Sequence, residues 1–358
     1  MSDEIATLLL DSLERLLRDQ CTPERVEASE EGGFDSELWQ QICELELHRA
    51  ALPEAQGGVE AGLPLMVELL QLAASFALPA PVAESMVLAP WLVTRADIEL
   101  ADGLVSVAPR SDGLILTGGA GNWRISGNLE RVPSGRHAEQ VLVVVKADDG
   151  EQLLCLQSSQ WQVEQNKNLA GEARDRLLFA DQQLADDQVH EIASGSQDQL
   201  WQLGAVARSA QLVGALRRAQ ELSHNYVQER SQFGRPLAKF QAIQQQLALL
   251  AADLEAASVM TGLAALSFDS AVAAGDLLDI ASAKTQAGQA AGMGARIAHQ
   301  VHGAMGFTQE YPLHHATRRL WAWRDEYGNE THWATQIGAQ VVEAGAEQLW
   351  PLLTATSR

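Results

Sequence analysis

The chain has 358 residues, with 25 Lys and Arg against 47 Asp and Glu, for a formal net charge of −22. That length predicts two or three domains, and 46% apolar against 20% charged residues excludes a disordered chain. The acidity argues against a nucleic-acid partner, although a few local arginines can still hold one small anionic ligand. Cys21, Cys43 and Cys155 are odd in number and far apart, which argues against a disulfide framework or a cysteine zinc site. The first residues carry acids where a signal peptide carries a basic stretch, and the apolar region 63–93 is interrupted by Glu68, Pro79, Pro81 and Glu84. The expectation is a cytoplasmic protein with no membrane partner.

Residues 1–98 read as helices. Leu8, Leu9, Leu13, Leu16 and Leu17 recur three and four residues apart, which puts them on one helix face. Leu38-Trp39 and the ICELEL run predict a second helix, and LPLMVELLQLAASF a third. Between them Pro53 and Gly57-Gly58 mark a loop over 52–62. Over 99–195 the period shortens. Runs at 104–107, 114–117, 123–126 and 141–145, separated by Gly, Asp, Asn and Ser, predict a small β-barrel or sandwich. Gly118-Gly119-Ala120-Gly121 reads as a hairpin turn and not as a dinucleotide loop, because no helix follows it. From 196 onward the pattern is helical again. Phe240, Ile243, Leu247, Leu250 and Leu254 step by three and four, as in the seam of a bundle helix. The Ala- and Gly-rich run 281–301 lets a neighbouring helix approach closely. The expectation is an α+β chain: an N-terminal helical domain over 1–98, a middle β-barrel domain over 99–195 and a C-terminal four-helix bundle over 196–358.

Two segments of the last domain stand out: ERSQFGRPL at 229–237 with KFQ at 239–241, and QVHGAMGFTQEYPL at 300–313. With the earlier LW and ELELHRAALPEAQGG stretches, they resemble the acyl-CoA dehydrogenase family, in its R-x-x-F-G-x-x-L turn and its Q-x-x-G-x-x-G-F-x-x-E-Y-P loop. The resemblance implies the same domain order, with FAD as cofactor. It implies that Arg230 pairs with the FAD pyrophosphate of a neighbouring subunit and that Phe233 packs on the adenine side, with Gln241, Gln300 and Gly303 nearby. It also implies an acyl-CoA substrate, α,β-dehydrogenation by a carboxylate base with hydride leaving to flavin, and reoxidation by an electron-transfer flavoprotein.

The chain departs from the family where a subunit meets its own flavin and substrate. The family's spacing from Gly306 to the catalytic glutamate lands on Tyr327, one residue past Glu326. On a helix that shift rotates a side chain by about 100°, whereas a loop absorbs it. Glu326 is the candidate base, with Glu330 as the alternative. Gly204 and Ala205, at the family's other base position, are not acidic. The segment 106–112 is shortened, and 131–135 lacks the aromatic and hydroxyl residues that line a flavin. Ala304 replaces a glycine. Arg230, Phe233, Gln241 and Gln300 remain, and the resemblance implies that they serve an FAD across a subunit interface. This split implies either a dehydrogenase acting alone or a catalytically silent companion subunit completing a partner's FAD site in a two-plus-two tetramer. A flavin oxidase or monooxygenase on the same fold is a further reading.

Weaker constellations complete the survey. His299-x-x-His302 has helical metal spacing with His314-His315 nearby, but no acid completes a site. Trp321, Trp323 and Trp333 read as packing of the terminal helices rather than as the border of a broad pocket. Arg318, Arg319 and Arg324 either attract CoA phosphates or pair with Asp325 and Glu326.

Overall fold

The computed structural model describes residues 3–32, 34–147, 150–270, 277–348 and 350–351. The chain forms two compact units, Met1–Gly204 and Ala205–Arg358.

The first unit begins with α1 (Asp3–Gln20), α2 (Pro23–Gly32), α3 (Ser36–Glu44), α4 (Leu63–Ser75) and α5 (Ala89–Arg95). The leucine face of α1 turns Leu13 and Leu17 into the core. Asp35 caps α3 by accepting from the Leu38 amide at 2.9 Å. The hydrogen-bonded Arg25 guanidinium holds the Asp35 carboxyl below the usual carboxylate range. Ahead of α5 the backbone widens into a π-turn over Glu84–Leu88. Pro90 follows at once, and its missing N–H cannot complete an ordinary helical ladder.

Two four-stranded sheets follow. One has the order β1 (Val105–Val107), β4 (Gln140–Ala147), β5 (Gly150–Gln157), β8 (Val189–Ile192), with β1 and β4 parallel and the other pairs antiparallel. The other is antiparallel, in the order β2 (Leu114–Thr117), β3 (Trp123–Pro133), β7 (Arg174–Leu184), β6 (Gln162–Glu164). Gly118–Gly121 does form the turn of the β2–β3 hairpin, where Thr117 pairs with Arg124. Val141, Val143 and Val145 of β4 share one core with Leu129 and Leu177 of the second sheet. Leu142 and Val144 are also fully buried, so β4 is covered on both faces and reads as an unbroken apolar run.

The second unit is helical. It is built from α6 (Ser196–Glu229), which starts in the first unit, α7 (Gln241–Ser270), α8 (Leu277–His302), α9 (Leu313–Asp325) and α10 (Glu330–Ala344). Ala219 and Leu222 of α6 pack with Ala298 of α8 and with Leu313 and Ala316 of α9. A Cβ at Gly294 of α8 would lie 2.4 Å from Leu216 and 3.0 Å from Leu250, so this glycine sets how closely α6 and α7 approach. Leu250 and Leu254 of the seam are buried, while Phe240, Ile243 and Leu247 are half-buried. Among the described residues only α7 is long and apolar enough to cross a membrane, by length and composition, and Leu249, Val259, Leu263 and Leu266 form an exposed apolar row on it.

Candidate functional site

The two motifs leave the same end of the helical unit. Tyr226, one turn before Arg230, stacks on His302 with ring centroids 4.5 Å apart. Tyr311 closes the group at 4.8 Å from His302, and its hydroxyl donates to the Leu222 carbonyl at 3.3 Å. His302 Nδ1 lies 2.7 Å from the Ala298 carbonyl, and burial pushes the imidazole pKa below its ordinary value. These rings bring 229–241 and 300–313 together, although about 70 residues separate them in sequence.

The residues that the motifs present are open to solvent. After α6 the chain folds into a hairpin, β9 (Ser231–Gln232) and β10 (Arg235–Pro236), with Phe233-Gly234 at its tip. Both tip residues have positive φ, +52° and +77°, as a type I′ turn requires. A phenylalanine is costly there, and its side chain is 91% exposed. Phe233 meets Phe240 edge-on at 6.3 Å, and the Arg235 guanidinium lies 4.2 Å over Phe240. Arg230, Gln241, Gln300 and Gly303 are exposed as well, and Gly303 also takes a positive φ of +60° with open space where a Cβ would stand. An exposed guanidinium, an aromatic ring, two amides and an open glycine suit a phosphate-bearing aromatic cofactor.

The candidate base lies elsewhere. Lys284 and His302 are 18 positions apart on α8, so their turns are separated by about 27 Å at 1.5 Å per residue. At the Lys284 level, α9 ends at Asp325 and α10 begins at Glu330, with Asn329 capping α10 through the His332 amide at 3.0 Å. Glu326 is therefore in a turn, not on a helix. Tyr327 and Gly328 both have positive φ, +54° and +88°, which reverses the chain and buries the Tyr327 ring. A Cβ at Gly328 would sit 2.7 Å from His332 and 2.8 Å from Trp333, so only glycine fits.

Both acids of this turn are engaged. Glu326 Oε2 accepts from Arg208 Nε at 2.6 Å, and Arg208 is only 1% exposed. Gln211 takes another Arg208 donor at 2.5 Å, and the guanidinium lies 5.5 Å from the Tyr327 ring. Glu330 is held by both arms of Arg324. The buried Lys284 ammonium donates to the carbonyls of Arg324, at 2.7 Å, and Gly328, at 2.6 Å. Its pKa is lowered to about 7, chiefly by burial, with Glu326 and Asp325 opposing and Arg208 and Arg324 adding to the shift. Within the arginine island the expected acids are not the partners of Arg324. Arg324 takes Glu330 rather than Asp325 or Glu326, and Arg319 is buried and donates to the His315 carbonyl at 3.1 Å.

The remaining candidates find structural roles. His299 stacks between Phe307 at 4.3 Å and Trp321 at 5.6 Å, with Nε2 3.0 Å from Thr317. Among the described residues no three His, Cys, Asp or Glu side chains gather as a metal ion requires. Trp323 and Trp333 are buried, and Trp333 Nε1 donates to the Tyr327 carbonyl at 2.9 Å. In the first unit, Val132 and Pro133 of the 131–135 segment are buried, and the Ser106 hydroxyl donates to the Pro133 carbonyl.

Arg208 and Lys284 are the residues that sequence reasoning missed. Lys284, Gly288 and Gly292 fall four apart on one face of α8. A Cβ at Gly288 would lie 3.0 Å from Glu330 and one at Gly292 3.4 Å from Arg324, so the glycines form a slot for that ion pair. A lone lysine heading such a row, in a helix otherwise Ala-rich, was the available signal. Arg208 offered none, since its acid is 118 positions away.

Two family models match the chain: "Acyl-CoA dehydrogenase, N-terminal domain" over residues 3–97 and "Acyl-CoA dehydrogenase, C-terminal domain" over 195–340. Acyl-CoA dehydrogenase FadE27 of Mycobacterium tuberculosis is 26% identical over 354 residues, covering 91% of this chain and 94% of the relative. Acyl-CoA dehydrogenase IpdE2 of Mycolicibacterium smegmatis is 28% identical, covering 87% of this chain and 91% of the relative. Among solved structures, a chain of the ChsE4-ChsE5 complex from Mycobacterium tuberculosis superposes with a TM-score of 0.88 at 23% identity, covering 96% of this chain and 98% of that one. That likeness shows the fold: helical, β and helical domains in order.

Proposed function

Since the chain belongs to the acyl-CoA dehydrogenase family, we propose that it is one subunit type of a heteromeric acyl-CoA dehydrogenase. In this reading it lends its exposed motif surface to the FAD of a companion chain, and the companion supplies the catalytic base. The observation that carries the reading is the contrast within one unit. Arg230, Phe233, Gln241 and Gln300 face solvent, while Glu326 and Glu330 are both spent on internal arginines. A carboxylate held by a buried guanidinium is stabilised as the anion and loses the basicity that proton abstraction needs.

FAD, when bound, accepts the hydride in α,β-dehydrogenation of an acyl-CoA thioester. This chain's part is to hold the cofactor. Arg230 offers a forked donor to the pyrophosphate, Phe233 a ring face, and Gln241 and Gln300 amides, while Gly303 lets backbone approach. The 131–135 segment supports the same split, because Val132 and Pro133 are buried and the Pro133 carbonyl is engaged by Ser106 rather than open to a ring. The ChsE4-ChsE5 structure, itself a complex of two different chains, gives the assembly a precedent on this fold. Electron transfer onward to an electron-transfer flavoprotein, a cytoplasmic location and an acyl chain from fatty acid or steroid side-chain degradation belong to the same proposal.

A self-sufficient dehydrogenase is the second reading; relatives named acyl-CoA dehydrogenase match nearly the whole chain. It requires Glu326 to leave Arg208 and act as the base. Intact-complex mass spectrometry and visible spectra separate the two, with the chain expressed alone and with candidate companions. The companion reading expects about two FAD in a two-plus-two tetramer and no turnover by the chain alone. A homotetramer holding four FAD and oxidising acyl-CoA unaided overturns it.

A further inference from the structure

The turn between α9 and α10 is held more tightly than a connection between two helices needs. One ammonium spans it, because Lys284 Nζ reaches the carbonyl two residues before Glu326 and the carbonyl two residues after it. Trp333 Nε1 takes the carbonyl between, from Tyr327. A buried cation that donates to backbone oxygens, with the nearest carboxylate bound to another cation, does not behave as a simple salt bridge. It acts as a peg around which the backbone is wrapped.

We propose that Lys284 is the positioning residue of this turn: by pinning the Arg324 and Gly328 carbonyls it delivers Glu326 to Arg208 and withholds that carboxylate from acid–base chemistry. The chemistry of an amine suits the task. Its compact head makes two or three directed bonds, and it stays a double donor even after losing a proton. The peg therefore survives deprotonation, while its attraction to Glu326 does not. The charged groups facing Lys284 are Glu326 and Asp325 at the turn, Arg208 from α6 and Arg324 from α9. From α10, Glu330 is engaged by Arg324 and His332 lies against Gly328. The inference rests on reading 325–330 as the place where a base would stand. Its test needs neither flavin, companion nor acyl-CoA, so the two can fail separately.

The chain contains four lysines, Lys146, Lys167, Lys239 and Lys284. Labelling the full chain with lysine carrying carbon-13 at Cε alone therefore yields four methylene signals, and Lys284→Met identifies one by its loss. The expected result is three signals titrating near the ordinary lysine value and one near neutrality, moving down by roughly half a unit or more in Glu326→Gln as the opposing carboxylate charge is removed. Carbodiimide labelling read by mass spectrometry then reports on the acid itself. Glu326 is expected to be protected in the wild type and labelled severalfold faster in Lys284→Met. If Lys284→Met does not fold, the Glu326→Gln titration decides alone. A Lys284 signal that titrates with the other three, or one unmoved by Glu326→Gln, overturns the proposal, as does equal labelling of Glu326 in folded Lys284→Met.

Discussion

Tyr226 stacks on His302 with their ring planes 29° apart, joining the last turn of α6 to the last turn of α8. Arg230 follows four residues after Tyr226, and Gly303 follows His302 directly. The contact therefore sets the separation of the two motif segments, neither of which is buried enough to set it alone.

Replacing Tyr226 by Leu keeps apolar bulk and removes two aromatic contacts, to His302 and Tyr311. At about 0.5–1.5 kcal/mol each, the expected loss is about 1–3 kcal/mol. Urea unfolding of the full chain measures it, and an unchanged midpoint would show that the rings merely coincide.

In the proposed assembly, Arg230→Ala takes away the charge-assisted donor assigned to the FAD pyrophosphate. The expected cost is about 1.5–3 kcal/mol, or roughly tenfold to a hundredfold in FAD retention. Flavin fluorescence on dilution of the complex reads this directly, and wild-type retention removes Arg230 from the site.

Phe233→Asn is expected to separate stability from binding. Asparagine adopts the left-handed turn conformation at less cost than phenylalanine, so the melting temperature of the isolated chain should hold or rise. FAD retention by the complex should fall. A drop in both would mean that the exposed ring serves the fold after all.

Lys284 gives a pH dependence with a definite sign. Its pKa is about 7 in the folded chain, against about 10.4 when unfolded. Between these values the unfolded chain holds the extra proton, so stability rises with pH, by at most about 1.4 kcal/mol per unit, and is lost as pH falls towards 7. Comparing wild type with Lys284→Met between pH 7.5 and pH 9.5 in urea cancels the other groups. The wild type should gain relative to the variant.

If the proposed companion supplies the base, Glu326→Gln and Glu330→Gln should leave acyl-CoA oxidation by the assembled complex within about twofold of wild type. Near-complete loss in one of them returns the chemistry to this chain and names the residue.

The helical, β and helical order was legible because residue period changes at the right places, and the motif turns were legible because Gly234 and Gly303 sit where the backbone takes positive φ. Strands β5 to β8 were missed. β7 alternates burial along a polar-rich segment, and β6 is exposed throughout, so neither makes an apolar run. The turn at 326–329 was anticipated only as a possibility. That it is a turn follows from Asn329 capping α10, a local signal, whereas the pairing of Glu326 with Arg208 is set by the approach of two distant helices. A spacing argument finds the position of a side chain along the chain. It does not find which cation is waiting there.

The slot cut by Gly288 carries an evolutionary consequence. A side chain at 288 would press on the Glu330 carboxylate, so growth at position 288 is eased when position 330 shrinks or Arg324 lets go. These three sites on α8, α9 and α10 should drift together among relatives. A lineage regaining a free acid in this turn would have to refill the slot and release the arginine in the same series of substitutions.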